Sequence, residues 1–252
     1  MNRELLLKRL DDIALALERS EHALMLIGLG SVGLELDRLD AYSDLDFFAI
    51  VAPGYKQAYL KDLQWLSTAG AIAYCFANTR DGYKLLYADG IFCEFAVFEP
   101  QELETIPFAP GRIVWKRPGV PAELAQPKLT TERKAEHDPE WLLGEALTNL
   151  FVGLAREKRG ERLSALRFIQ GYAVDRVLEL ADGVETQTDA PGDRFALERR
   201  FERRYPGVSA HLGAFLQGYE HNCASALAIL AFLEQHFEVN KALAAAIRGL
   251  CE

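Results

Sequence analysis

Cysteine is scarce: four in 252 residues, Cys75, Cys93, Cys223 and Cys251, with no C-x-x-C pair among them. That spacing excludes the usual zinc and dithiol motifs and leaves thiols in apolar contexts, as buried cysteines of a reducing compartment are. Positive charge is also in deficit, with a formal net charge of −9 and a pI near 5.2. A chain of that sign has no broad electrostatic grip on nucleic acid or an anionic membrane, although a local basic pocket stays open to it. No apolar run approaches the roughly 20 residues that span a bilayer. The first segment, MNRELLLKRLDDIALALERS, breaks its apolar positions with charges, unlike a signal peptide. These absences together give the expectation of a cytoplasmic protein. His22, His137, His211 and His236 show no metal-ligand spacing, and neither an internal repeat nor a low-complexity segment is present.

What is present is the composition of a folded chain: 50% of residues are apolar and 26% charged. Residues 2–18 carry Leu6, Leu10, Ile13, Ala14 and Leu17 at helical spacing, which predicts an amphipathic helix. Short apolar or alternating runs follow at 23–29, 46–52, 71–77, 84–88, 91–99 and 112–116, each bounded by turn residues, and predict strands. Asp89-Gly90 between the fourth and fifth suits a tight hairpin, and 54–70 has helical spacing between the second and third. After residue 116 prolines accumulate, and beyond residue 138 only helical stripes remain. The reading is an α+β protein: an N-terminal mixed sheet with helices over 1–120, a linker over 121–137, and a C-terminal helical bundle over 138–252. The apolar stretch 226–250 suits a helical homodimer interface, and Tyr172 and Trp141 are expected to pack the bundle.

Asp44 and Asp46 stand at the mouth of the second strand, two residues apart and hence on one face of it. They repel each other, and aspartate is depleted in strands, so the pair works against local structure. A divalent cation resolves the conflict, because Mg²⁺ takes one or two carboxylates together with substrate phosphates. Taken alone, Asp-x-Asp is also what a capped turn looks like. Glu94 adds to the case: it interrupts the apolar run IFCEFAVF, a costly place for a carboxylate unless it is paired, liganded or wet. If its strand lies beside that of Asp46, three acids converge. Gly30-Ser31, directly after the first strand, offers backbone N–H groups and a hydroxyl to phosphate oxygens. GLGSVG spells G-x-G-x-x-G, but the segment after it holds no crossover helix and no Gly-Lys-Ser/Thr, so it is neither a dinucleotide fingerprint nor a P-loop.

Strand, Gly-Ser, a spacer of about a dozen residues, Asp-x-Asp and a third acid on a later strand resemble the nucleotidyltransferases of the DNA polymerase beta superfamily. YSDLDFFAIV, GIFCEFAVFEP and LAREKRGERLSALRFI are most similar to the antibiotic-modifying branch, the lincosamide enzymes first and the aminoglycoside enzymes more distantly. The resemblance implies Asp44 and Asp46 on one or two Mg²⁺ ions, and Glu94 as a third metal ligand or as the base for an acceptor hydroxyl. Gly30 and Ser31 would hold a nucleoside triphosphate, with ATP the expected one. It further implies that Lys158 and Arg159, in a basic cluster with Arg156 and Arg162 around Gly160, touch the triphosphate. The implied reaction moves a nucleoside monophosphate onto a hydroxyl of a small molecule, with a role in antibiotic resistance. Two other readings stand beside it: a non-catalytic antitoxin or regulatory module with the same pocket, and a transferase that modifies a macromolecule. One departure is visible, since Val32-Gly33-Leu34-Glu35 follows Ser31 where such enzymes often carry a basic residue, and Arg38 is the nearest substitute.

Overall fold

The computed structural model describes residues 3–129, 138–190, 192–193 and 196–252. The chain is an α+β protein that divides into two compact units, Met1–Thr131 and Glu132–Glu252.

The first unit is built on a six-stranded mixed sheet of β1 (Ala23–Gly28), β2 (Leu45–Val51), β3 (Ile72–Ala77), β4 (Gly82–Tyr87), β5 (Phe92–Phe98) and β6 (Arg112–Lys116), in the order β3-β4-β5-β2-β1-β6. Only β2 and β5 pair in parallel; every other neighbouring pair is antiparallel. Each strand falls where an apolar run predicted it, because period-2 burial leaves a local signature. Helix α1 (Arg3–Arg19) buries Leu6, Leu10, Ile13, Ala14 and Leu17 on one face of the sheet. The single helix expected over 54–70 is two, α2 (Lys56–Lys61) and α3 (Gln64–Ser67). Asp62 is extended between them, and its carboxylate accepts from the Gln64 N–H at 2.9 Å, a capping bond that competes with helix continuation. A smaller apolar cluster of Met25, Ile27, Ile50, Phe98, Leu103, Phe108 and Ala125 covers part of the opposite face.

The stretch read as linker contributes to this unit over its first part. Ala122–Ala125 is a 3₁₀ turn, Ala125 is buried, and its carbonyl accepts from the Gly111 N–H at 2.9 Å. The remainder, 130–137, lies outside the described residues.

The hairpin turn at Asp89-Gly90 forms with Gly90 at φ 87°, the left-handed conformation that glycine adopts without a Cβ penalty. Arg9 pins it from α1: its guanidinium pairs with Asp89 at 2.7 Å and stacks 4.2 Å over the Tyr87 ring. At the other end of β4 a Cβ on Gly82 would stand 2.0 Å from the Phe95 carbonyl oxygen. Gly82→Ala is therefore expected to cost about 1–3 kcal/mol, the usual penalty of overpacking. A denaturation midpoint equal to that of the wild type would show that β4 and β5 do not approach so closely.

The second unit packs α4 (Pro139–Lys158) against α5 (Arg162–Leu166), which runs through a π-helical turn, Arg167–Ala173, into α6 (Val174–Glu179). Short helices α7 (Phe201–Arg204), α8 (Pro206–Ser209) and α9 (Leu212–Phe215) precede α10 (Asn222–His236) and α11 (Lys241–Gly249). Its core joins Leu142, Leu147, Leu150 and Leu154 to Ile169, Val177, Ile229 and Leu233. Trp141 and Tyr172, which the sequence predicts to pack the bundle, are exposed. The buried stripe of α4 starts one residue later, at Leu142, which turns Trp141 outward beneath the Arg176 guanidinium at 5.9 Å. Among the described residues no helix is long and apolar enough to cross a membrane.

Candidate functional site

Strand alternation creates the site. Along β2, Leu45, Phe47, Ala49 and Val51 point into the helix-covered core, so Asp46 and Phe48 lie on the other face. Along β5, Cys93, Phe95 and Val97 do the same, leaving Glu94, Ala96 and Phe98 opposite. The parallel register sets Asp46 beside Glu94, the antiparallel one sets Glu94 beside Lys84, and β3 sets Phe76 beside Lys84. One row of side chains thus crosses four strands as Phe76, Lys84, Glu94 and Asp46.

The Gly30-Ser31 turn closes the Asp46 end of this row. The Leu29 N–H donates to the Asp46 carbonyl at 2.8 Å, and a Cβ on Gly30 would stand 3.5 Å from the Asp46 Oδ2. Gly30 sits at φ 52° and starts a 3₁₀ turn, Gly30–Val32. The N–H groups of Gly30 and Ser31 and the Ser31 hydroxyl have no acceptor among the described residues, as expected for the first donors of such a turn. The other two glycines of GLGSVG serve close approach. A Cβ on Gly28 would meet the Val32 carbonyl oxygen at 2.5 Å, and one on Gly33 the Gly28 carbonyl oxygen at 2.9 Å. β1 and β2 pair antiparallel on either side of this turn, so the motif opens no dinucleotide fold. From β6, the Arg112 Nε donates to the Val32 carbonyl at 3.0 Å and holds the turn in place. Sequence inspection does not reveal that anchor, because 80 residues separate donor and acceptor.

Asp44 precedes β2 and is half-buried. The capped-turn reading fits Asp40 instead, whose carboxylate accepts from the Tyr42 N–H at 2.8 Å and the Ser43 hydroxyl at 3.2 Å. Asp44 has no hydrogen bond or ion pair among the described residues. Burial pushes the Cys93 thiol up; Arg9 opposes, and the charges of Asp44, Asp46 and Asp89 add to the rise. Both site aspartates therefore lie within electrostatic reach of one sulfur, which is itself held as an inert thiol.

Glu94 stands beside Asp46, as three converging acids require, and is itself engaged by other side chains. Among the described residues no three His, Cys, Asp or Glu side chains form a group able to hold a metal ion. Glu94 is in register with Asp46, but its Oε1 accepts from the Asn78 Nδ2 at 2.8 Å and its Oε2 pairs with the Lys84 Nζ at 3.2 Å. Both of its oxygens are occupied by cross-strand and loop donors. The Asn78 Oδ1 is shielded from water and has no partner among the described residues.

Of the basic residues, Arg38 is paired with Glu35, which takes it away from the role of substitute phosphate ligand. In the second unit Arg156 donates to the Ser164 hydroxyl at 2.7 Å and stacks on Phe168, and Arg162 pairs with Glu220 at 2.7 Å. Lys158 and Arg159 remain exposed beside Gly160, without an ion pair among the described residues. A cavity of about 420 Å³ lined by Arg19, Ser20, Tyr59, Asp62, Trp65 and Thr68 lies on the helical side of the first unit's sheet, away from the acidic row.

No known protein-family profile matches the chain, and no curated protein sequence matches it. Among solved structures, an aminoglycoside 6-adenyltransferase from Bacillus subtilis aligns over 97% of this chain and 90% of its own, at 14% identity and a TM-score of 0.34. A likeness that distant fixes neither activity nor substrate.

Proposed function

We propose that the chain is a Mg²⁺-dependent nucleotidyltransferase that moves a nucleoside monophosphate, AMP from ATP, onto a hydroxyl of a small molecule. The observation that carries the reading is the juxtaposition of the Gly30-Ser31 turn, with its unspent donors, against the Asp46 carboxylate, with Asp44 two residues before it. Two carboxylates beside a phosphate-facing turn fit the donor set of a Mg²⁺ ion that also takes phosphate oxygens. Bound there, the ion would neutralise phosphate charge and polarise the phosphorus under attack.

The chain's own residues do the rest. Gly30 and Ser31 supply N–H and O–H donors to the triphosphate oxygens and orient it without a side-chain cation. Glu94, one strand over and oriented by Lys84 and Asn78, accepts the proton of the acceptor hydroxyl as that oxygen attacks the α-phosphorus. Pyrophosphate leaves, so that one P–O bond forms as another breaks.

A calorimetric titration with ATP tests the reading. Binding is expected with Mg²⁺ and at least about tenfold weaker with EDTA, because Asp44 and Asp46 would otherwise face the phosphates as bare negative charges. A chain that ignores ATP under both conditions would be a binding module of another kind. Label from radioactive ATP that appears on protein or RNA and on no small molecule would move the assignment to a macromolecular acceptor.

A further inference from the structure

The acidic row continues away from Asp46 into a strip of exposed aromatic side chains. Tyr74 and Phe76 on β3 and Phe92 on β5 keep 56%, 44% and 37% of their surface in water. The register places all three on the face of Glu94: Phe76 pairs with Lys84 and through it with Glu94, while Tyr74 pairs with Leu86, which pairs with Phe92. The Tyr74 and Phe76 rings lie 5.8 Å apart. Three large rings held in water on one sheet face forgo burial that a folded chain normally takes, and such patches mark binding surfaces. Along β3, β4 and β5 this face carries only two charged residues, Lys84 and Glu94, and they pair with each other at 3.2 Å.

We propose that this strip seats the acceptor, and that the acceptor is a hydroxylated ring compound with an apolar face and little or no net charge. The proposal rests on the nucleotidyltransferase reading for the role of Glu94. A ring stacked on Tyr74, Phe76 and Phe92 carries its hydroxyl to the adjacent Glu94, to which the hydroxyl donates. A polycation finds no spare carboxylate on the strip, so several amino groups would be desolvated without a partner.

Saturation-transfer NMR with phenyl β-glucoside, a neutral probe with a flat apolar face, tests this against an aminoglycoside probe. The glucoside signal is expected in the wild type and to be about fivefold weaker in Tyr74→Ser/Phe76→Ser, in line with the worth of ring contacts. Phe92→Ser, on a different strand, provides an independent variant should the edge strand not tolerate the double change. Equal glucoside signals in wild type and variants, or a preference for the aminoglycoside, would overturn the proposal. So would a wild-type dimer that becomes a variant monomer in sedimentation, which would make the strip a self-association surface. ATP titration of the same samples separates the two ideas. Absent ATP binding defeats the nucleotidyltransferase reading whatever the probe does, and ATP binding equal in wild type and variants leaves the strip to be judged by NMR alone.

Discussion

Asp44→Asn is expected to lower nucleotidyl transfer by roughly a thousandfold or more while leaving the denaturation midpoint unchanged or slightly raised. The two halves of that result have one cause. Asp44 has no hydrogen bond or ion pair among the described residues and stands two positions from Asp46, so it contributes repulsion to the fold. Removal of its charge relieves the repulsion and takes away a hard oxygen ligand. Amide for carboxylate is nearly isosteric, which keeps packing out of the comparison. Pyrophosphate release from ATP, followed with a panel of hydroxylated acceptors and with and without Mg²⁺, provides the rate, and urea titration the stability. Full activity in the variant would remove Asp44 from the site, and a large loss of stability would make it a structural residue. Asp46→Asn is expected to give the same loss of activity.

Lys56→Met is expected to destabilise the first unit by about 2–3 kcal/mol. Lys56 is 8% exposed and its ammonium lies 2.7 Å from Asp81 and 2.5 Å from Glu102, joining α2 to the β3–β4 loop and to the segment after β5. Loss of one partner of a buried ion pair commonly costs 3–5 kcal/mol, and the partial exposure of both carboxylates lowers that to about 2–3. Burial pulls the Lys56 pKa down, but the hydrogen bonds and charges of Asp81 and Glu102 outweigh it and leave the pKa above 10.5. For Asp81, burial pushes up and the bonds and charges of Lys56 and Arg80 outweigh it, leaving the pKa below 3.8.

The pH dependence is set by those directions. The Lys56 contribution is complete below 10.5 and is lost as pH rises through its higher folded value. The Asp81 contribution is present above 3.8 and is lost as pH falls through its lower folded value. Lys56→Met should therefore be most destabilising between these limits and approach the wild type beyond them. Adding Asp81→Asn and Glu102→Gln to Lys56→Met should recover at least about half of the loss, because the only charge then left without its partner, Arg80, is exposed to water. Urea titrations across pH check both statements, and a loss independent of pH would assign the effect to packing alone.

The six strands and the first helix were legible in the sequence because alternation and helical spacing are local signals, written over a handful of consecutive residues. The aspartate pair was legible for the opposite reason: two carboxylates at the start of an apolar run contradict local preference, and such conflicts gather at functional sites. The failures are also physical. The helix over 54–70 breaks because Asp62 caps the next turn, an event decided by one side-chain bond. Trp141 faces outward because the buried stripe of α4 begins at Leu142, an offset too small to read from periodicity.

The sequence by itself determined the α+β class, the change to helices in the second half, the glycine turn after β1 and the position of the two aspartates, since each is encoded within a short segment. Only tertiary structure decided where Glu94 lies and which groups engage it. Its placement beside Asp46 needs the parallel β2·β5 register, and its engagement by Lys84 and Asn78 needs β4 and the β3–β4 loop to pair on its other side. Cross-strand pairing is a relation between segments, not a property of any one of them, so the row from Phe76 to Asp46 becomes visible only once the sheet is assembled.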